Sequence, residues 1–150
     1  MKILAIDPGA TGGFAWFDGE QIQTKKMPDT EGDVLDLLRS IKASGITTLA
    51  IEGQVGCVGP KTKVSATAMF TFGRGFGFIL GASQALGFSI TPIRPMKWQK
   101  ILSLGTKKDA GGKTPWKNKL KARAQQLFPE IDVTLSTADA LLILHYARNQ

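Results

Sequence analysis

The chain has 150 residues, 43% apolar and 21% charged, and its 19 basic against 12 acidic residues leave a formal net charge of +7. This is the profile of an ordinary globular protein large enough for a proper core, so one domain over 1–150 is expected, and the positive surplus suits a polyanionic partner without requiring one. Cys57 and His145 are the single cysteine and histidine, which excludes an internal disulfide and the usual zinc motifs; a bound metal would rest on oxygen ligands, as Mg2+ does, with Mn2+ also possible.

Residues 2–6 are a short apolar run ending at Asp7-Pro8-Gly9, which predicts a buried strand and a turn. The run is too short for a signal peptide. Gly12–Phe17 and Gln21–Lys26 predict two more strands, with Asp18-Gly19 as the hairpin between them. Val34, Leu37, Leu38 and Ile41 recur at helical spacing, so Thr30–Ala43 is predicted helical, with Thr30 and Asp33 at its cap and Gly45 beyond its end. Ile46–Ile51 is a second buried strand, ending at Glu52.

Val64–Leu86 follows as a long helix in which Gly73, Gly77, Gly81 and Ala85 fall four apart, a smooth ridge that another helix could approach closely. Its greasiest stretch, Phe70–Ala82, is broken by Thr71 and Arg74 and falls short of a membrane span. Phe88–Ile93 is a strand and Met96–Leu104 a short helix. Gly105–Pro115 is a mobile lysine-rich loop, Trp116–Leu127 a basic helix, and Ser136–Arg148 the last helix. Three antiparallel strands followed by alternating helices and strands predict a mixed α/β sheet, and a cytoplasmic location is expected.

Three acids stand at the edges of core elements. Asp7 follows Ile3-Leu4-Ala5-Ile6, Glu52 follows Thr48-Leu49-Ala50-Ile51, and Asp139 opens the apolar helix Ala138–Ile143. A charge beside a core is costly unless paired or metal-bound. Two strand ends and a helix start can converge, and two ions roughly 4 Å apart could there activate a water on a phosphodiester. Plainer readings stay open at this point. Asp7-Pro8-Gly9 also makes a good turn, Glu52 could be a solvated strand end, and Ser136 with Asp139 has capping-box spacing.

Arg94, Lys97, Lys100, Lys107, Lys108, Lys113, Lys117, Lys119, Lys121 and Arg123 crowd one segment whose only acid is Asp109. These ten are the candidate DNA-binding residues; the alternative is a solvated basic face. Trp98 and Trp116 within it could stack on bases or buttress the helices, buttressing being favoured for Trp98. Lys113 or Lys119 could neutralise charge at a scissile phosphate. Gly112-Lys113-Thr114 is no phosphate loop, because Lys107 stands where the first glycine is needed.

Taken together, Ile6-Asp7-Pro8-Gly9, Ala50-Ile51-Glu52 and Ala138-Asp139-Ala140-Leu141 resemble the RuvC-like Holliday junction resolvases over nearly the whole chain. Arg74-Gly75, Pro95, Trp98, Lys100, the lysine-rich loop and Leu127-Phe128-Pro129 are similar to the small phage-type members. The resemblance implies an RNase H-like fold with a mixed five-stranded sheet flanked by helices. It implies a magnesium-dependent endonuclease cutting branched DNA, with Asp7, Glu52 and Asp139 as catalytic metal ligands. It also implies a homodimer, for which the helix carrying Gly73, Gly77 and Gly81 would be suited, although that ridge could equally pack inside the monomer. The setting would be the cytoplasm of a bacterium or phage-infected cell.

Two positions depart from the pattern. Ser136 stands where the family has a fourth acid or a histidine; Asp132 has the wrong spacing, and His145, six residues after Asp139, is read as structural. After Glu52, where some members carry an aromatic wedge, the chain reads Gly53-Gln54-Val55-Gly56-Cys57-Val58. A nuclease on RNA–DNA hybrid or plain duplex, and a protein that holds DNA without cutting it, therefore remain alternatives. An actin-like ATP-binding fold is excluded by length, since such proteins need two domains and roughly 300 residues.

Overall fold

A computed structural model of the chain describes residues 1–53 and 64–150. Cys57 and the rest of 54–58, where a wedge would stand, lie outside them.

The meander forms as its sequence predicts. Strand β1 (Ile3–Asp7) pairs antiparallel with β2 (Gly13–Phe17), and β2 with β3 (Ile22–Lys26). At the hairpin, Asp18 Oδ1 accepts from the Glu20 and Gln21 amides at 2.9 Å each, and Gly19 takes φ +108°, a region open to glycine. Helix α1 (Glu31–Ala43) is capped by Thr30, whose hydroxyl oxygen accepts from the Asp33 amide at 3.1 Å. Then come β4 (Thr48–Glu52), α2 (Ala66–Ala85), β5 (Ser89–Ile93), α3 (Pro95–Ile101), α4 (Lys113–Leu127) and α5 (Ala138–Arg148). The sheet order is β3-β2-β1-β4-β5, with β4 parallel to both β1 and β5. This is the predicted mixed five-stranded sheet.

Strand periodicity divides the core in two. Leu4, Ile6, Leu49 and Ile51 face α1 and α2, while Ile3, Ala5, Ala15 and Ala50 face α3, α4 and α5. The alanines on the second face let α5 lie close on the sheet, and its residues Ala138–Leu144 are all buried. A helix buried nearly all round must be apolar nearly all round, so Asp139 is the exception that needs explaining.

Several boundaries shift by a residue or two and α3 ends at Ile101 rather than Leu104; two of the differences bear on the site. Helix α4 starts at Lys113 rather than Trp116, because Gly112 turns the chain at φ +127° and Pro115 fits the first helical turn, where its missing N–H costs little. The loop before it is correspondingly shorter and internally tied: Thr106 and Asp109 bond each other reciprocally, and Lys119 Nζ donates to the Leu104 carbonyl at 2.7 Å. Helix α5 starts at Ala138 rather than Ser136. Its N-cap is Thr137, which makes no side-chain cap bond to the helix, so the Ser136–Asp139 capping box does not form. Among the described residues, no helix is long and apolar enough to cross a membrane.

Candidate active site

Register and pleat together bring two of the acids side by side. Ile6 pairs with Ile51 across parallel β1 and β4, so Asp7 and Glu52 are the next residues in step on adjacent strands. Both continue the series that faces α5, namely Ile3, Ala5, Asp7 and Thr48, Ala50, Glu52. The start of α5 supplies Asp139 on that same face. Glu52 is 9% exposed and Asp139 5% exposed. The solvated-strand-end reading of Glu52 is thereby overturned. The turn reading of Asp7 is right in part: Asp7 Oδ1 accepts from the Gly9 amide at 3.3 Å, and the Gly12 amide donates to the Gly9 carbonyl at 2.8 Å.

Glycines make the room. A Cβ on Gly12 would stand 2.7 Å from Asp7 Cγ and 2.8 Å from its Oδ2. On Gly13, the register partner of Asp7, it would stand 2.7 Å from the carbonyl oxygens of Lys25 and Ser136. Real side chains do not approach so closely, so both positions must be glycine for the Asp7 carboxylate and the entry to α5 to sit where they do.

The carboxylates perturb one another. Burial, then the negative charge of Asp139, raises Asp7 to a pKa of about 6 against the opposing pull of Lys117 and the Gly9 amide. Burial, then the charges of Asp7 and Asp139, raises Glu52 to about 8, again against Lys117 and, last, the indole of Trp98. Among the described residues the cation beside them is Lys117, whose Nζ pairs with Asp139 Oδ2. Burial pulls the Lys117 pKa down, but Asp139, Asp7 and Glu52 outweigh it and the net shift is upward. Among the described residues, Glu52 Oε2 and Asp139 Oδ1 are buried without a hydrogen-bond partner.

Three carboxylates against one ammonium, with two orphaned oxygens, form an all-oxygen donor set that fits a hard divalent cation. Among the described residues, no three acid, histidine or cysteine side chains are gathered closely enough to enclose an ion by themselves. The set is therefore an open one, in which water and substrate oxygens would complete any coordination, as Mg2+ prefers. Ser136 lies beside it through its carbonyl, while Asp132 is exposed.

Lys117 is the site residue that sequence reasoning placed only among the DNA-binding candidates. Its signal is the buried stripe Trp116, Leu120 and Ala124, which turns α4 onto α5 and leaves Lys117 at the rim of that contact. Lys119 is committed to the loop carbonyl of Leu104. The ten basic residues are not gathered at one point. Lys113 and Lys117 stand on the first turns of α4, Lys117 against Asp139, and Lys107 and Lys108 are exposed on the loop before it. Arg123 lies further along α4, beside half-buried His145, whose pKa is lowered by burial first and then by the charges of Arg123 and Arg148. Lys97 lines a groove with Met1 and Tyr146, toward the far end of α5. Trp98 and Trp116 are both buried, which removes them as base-stacking platforms and makes them buttresses.

The glycine ridge of α2 is uncovered. A Cβ on Gly73, Gly77 or Gly81 would meet nothing within 4 Å, so the ridge does not pack inside the monomer among the described residues. Arg74 on the same helix pairs with Glu31 at 3.1 Å.

No protein-family model matches the sequence, and no curated protein sequence matches it. Among solved structures, the chain is similar to Thermus thermophilus RuvC in complex with a Holliday junction substrate, with a TM-score of 0.65 and 18% identity over 99% of this chain and 96% of that one. It is likewise similar to another Thermus thermophilus RuvC structure, with a TM-score of 0.61 at the same identity and coverage. The fold is thus that of the RuvC structures, an RNase H-like α/β architecture.

Proposed function

We propose that the chain is a divalent-cation-dependent endonuclease acting on branched DNA such as the Holliday junction. The observation that carries this reading is the convergence of Asp7, Glu52 and Asp139 on one face of the sheet, with two buried carboxylate oxygens unpartnered among the described residues. The likeness in fold to RuvC bound to a junction substrate, over nearly the whole of both chains, supports the same reading.

Asp7, Glu52 and Asp139 would be the residues that hold Mg2+ or Mn2+. Such ions activate a water and stabilise the leaving oxygen of a phosphodiester. The chain's own part is to hold these acids at the edge of the core and aimed together, where a bound cation would favour the ionised forms that burial opposes. Gly12 and Gly13 set the position of Asp7, and the parallel register sets Glu52 beside it. Lys117 neutralises Asp139 while the site is empty, and its flexible stem lets it swing to a phosphate oxygen when a cation takes over that duty. Lys107, Lys108 and Lys113 would hold the DNA backbone near the acids, with Arg94, Lys97, Lys100, Lys119, Lys121 and Arg123 adding long-range attraction that is steeply salt-dependent. A second copy docked on the Gly73–Gly77–Gly81 ridge would pair two such sites across a junction.

A specific observation favours a second reading. The acids do not enclose an ion unaided, and Asp139 is already paired; both features suit a protein that binds DNA without cutting it. Glu52→Gln separates the two. For a nuclease, cleavage falls by at least about a hundredfold while junction binding persists; if the wild type binds and never cuts in any metal, the second reading replaces the first.

A further inference from the structure

Trp98 is fully buried, yet among the described residues its indole Nε1 has no hydrogen-bond partner. An indole N–H is a donor only, and a buried one nearly always finds an acceptor. Its surroundings name the acceptor. Helix α3 begins two residues after Ile93, which pairs in register with Glu52, and the Gly53 amide donates to the Ile93 carbonyl at 2.9 Å. Strand end and helix start are thus fastened together, with Trp98 on the α5 side of the sheet, the side to which Glu52 points. The indole is close enough to favour the charged form of Glu52, although the bond does not close, and Glu52 Oε2 is itself orphaned. Two complementary orphans, one donor and one acceptor, thus lie on the same side of the sheet within reach of each other.

We propose that Trp98 is a positioning residue for Glu52: its indole N–H closes a hydrogen bond to one carboxylate oxygen when the other turns to a cation. The inference rests on the reading of Glu52 as a cation ligand. Ligating carboxylates are commonly oriented by such a donor, and losing it typically weakens metal binding by roughly 10- to 100-fold. An uncharged donor suits the role, since it fixes direction without competing for the site as a lysine would. The same geometry explains a tryptophan at this position beyond its bulk, which phenylalanine would largely supply.

The test is an indole N–H correlation spectrum of the full chain titrated with Mg2+, in which Trp98→Phe identifies the Trp98 resonance among those of Trp16, Trp98 and Trp116. The Trp98 resonance should move downfield on titration while the other two stay nearly still, and Glu52→Gln should abolish the movement. Trp98→Phe should bind Mg2+ about tenfold or more weakly while keeping the wild-type circular dichroism. If Trp98→Phe does not fold, the wild-type and Glu52→Gln spectra decide alone, with the resonance assigned through the backbone. Mg2+ binding with an unmoved Trp98 resonance, or with undiminished affinity in Trp98→Phe, overturns this inference and leaves the nuclease reading standing. No Mg2+ binding to the wild type overturns the cation reading, and the inference falls with it.

Discussion

Lys117, on the second turn of α4, closes an ion pair with Asp139, on the first turn of α5. Of the ion pairs among the described residues, it is the one that holds a buried carboxylate; Arg39–Asp36 and Arg74–Glu31 are exposed. Its position makes the lysine a resident counter-charge for a cluster that otherwise carries only negative charge.

Removing that counter-charge should destabilise the metal-free protein. Breaking a fully buried pair costs about 3–5 kcal/mol, but the Lys117 side chain is 37% exposed, and solvent screening reduces the expected loss for Lys117→Met to about 1–2 kcal/mol. Added Mg2+ should then raise Tm more in the variant than in the wild type, because the ion no longer competes with an ammonium. Thermal melts with and without Mg2+ check this; equal Mg2+ shifts in both proteins would count against Lys117 as a stand-in for the cation.

The raised acidities of Asp7 and Glu52 set a pH dependence whose sign is opposite to the usual carboxylate case. Folding raises both pKa values, to about 6 and about 8, so the native state binds more protons than the unfolded chain above the ordinary carboxylate range. Metal-free stability should therefore fall as pH rises from about 4 to 8. Glu52→Gln, which cannot ionise, should be more stable than the wild type at pH 8 without metal, by on the order of 2 kcal/mol. Cation binding needs the ionised forms, so the Mg2+-induced rise in Tm should itself grow between pH 6 and 8, with proton release on binding. A wild type whose metal-free stability climbs through this window would contradict the electrostatic account.

How far this site was legible follows from which facts are local. A strand's parity is local: Ile3, Ala5 and Asp7 share a face wherever the strand goes, as do Thr48, Ala50 and Glu52, so both acids could be read beside the core from sequence. The apolar run after Asp139 marked α5 in the same way. The partner of Asp139 was not legible, because it depends on α4 lying along α5, and within α4 nothing but the buried stripe distinguishes Lys117 from Lys113 or Lys119. The Ser136–Asp139 spacing misled for the complementary reason: Thr134 and Thr137 bond each other instead and begin the helix later. The closeness of Trp98 to Glu52 depends on where α3 docks after β5, which spacing along the chain does not encode.

Gly9 and Gly12 stand near the same carboxylate and should respond differently to one methyl group. At Gly12 the added Cβ would strike the Asp7 carbonyl oxygen first and then Asp7 Cγ and Oδ2 at 2.7 and 2.8 Å, so Gly12→Ala should lose about 2 kcal/mol of stability and displace the acid with its backbone. A displacement near 1 Å is enough to lower cleavage about a hundredfold. At Gly9 the nearest atom is Asp7 Oδ1 at 3.6 Å, an ordinary contact, so Gly9→Ala should keep most activity. Parallel assays and melts of the two variants suffice; similar losses in both would show that the close approach at Gly12 does not hold Asp7.

The open ridge on α2 makes an assembly prediction. Because a Cβ on Gly77 meets nothing within 4 Å among the described residues, Gly77→Leu should leave the monomer folded, with helical content unchanged or slightly raised. If a second copy packs there, the variant should become monomeric by light scattering and lose paired cutting while retaining single nicks. A Gly77→Leu protein that stays dimeric would place the dimer contact elsewhere.

The central claim is tested most directly by incubating the wild-type protein with an end-labelled four-way junction, beside matched duplex and RNA–DNA hybrid, with Mg2+, with Mn2+ and with chelator. The account predicts paired, symmetric nicks in the junction alone, and only when a divalent cation is present. Binding of the junction with no cutting in either metal would contradict it, and would leave Asp7, Glu52 and Asp139 as a buried acidic cluster held by Lys117 on a protein that binds DNA without cleaving it.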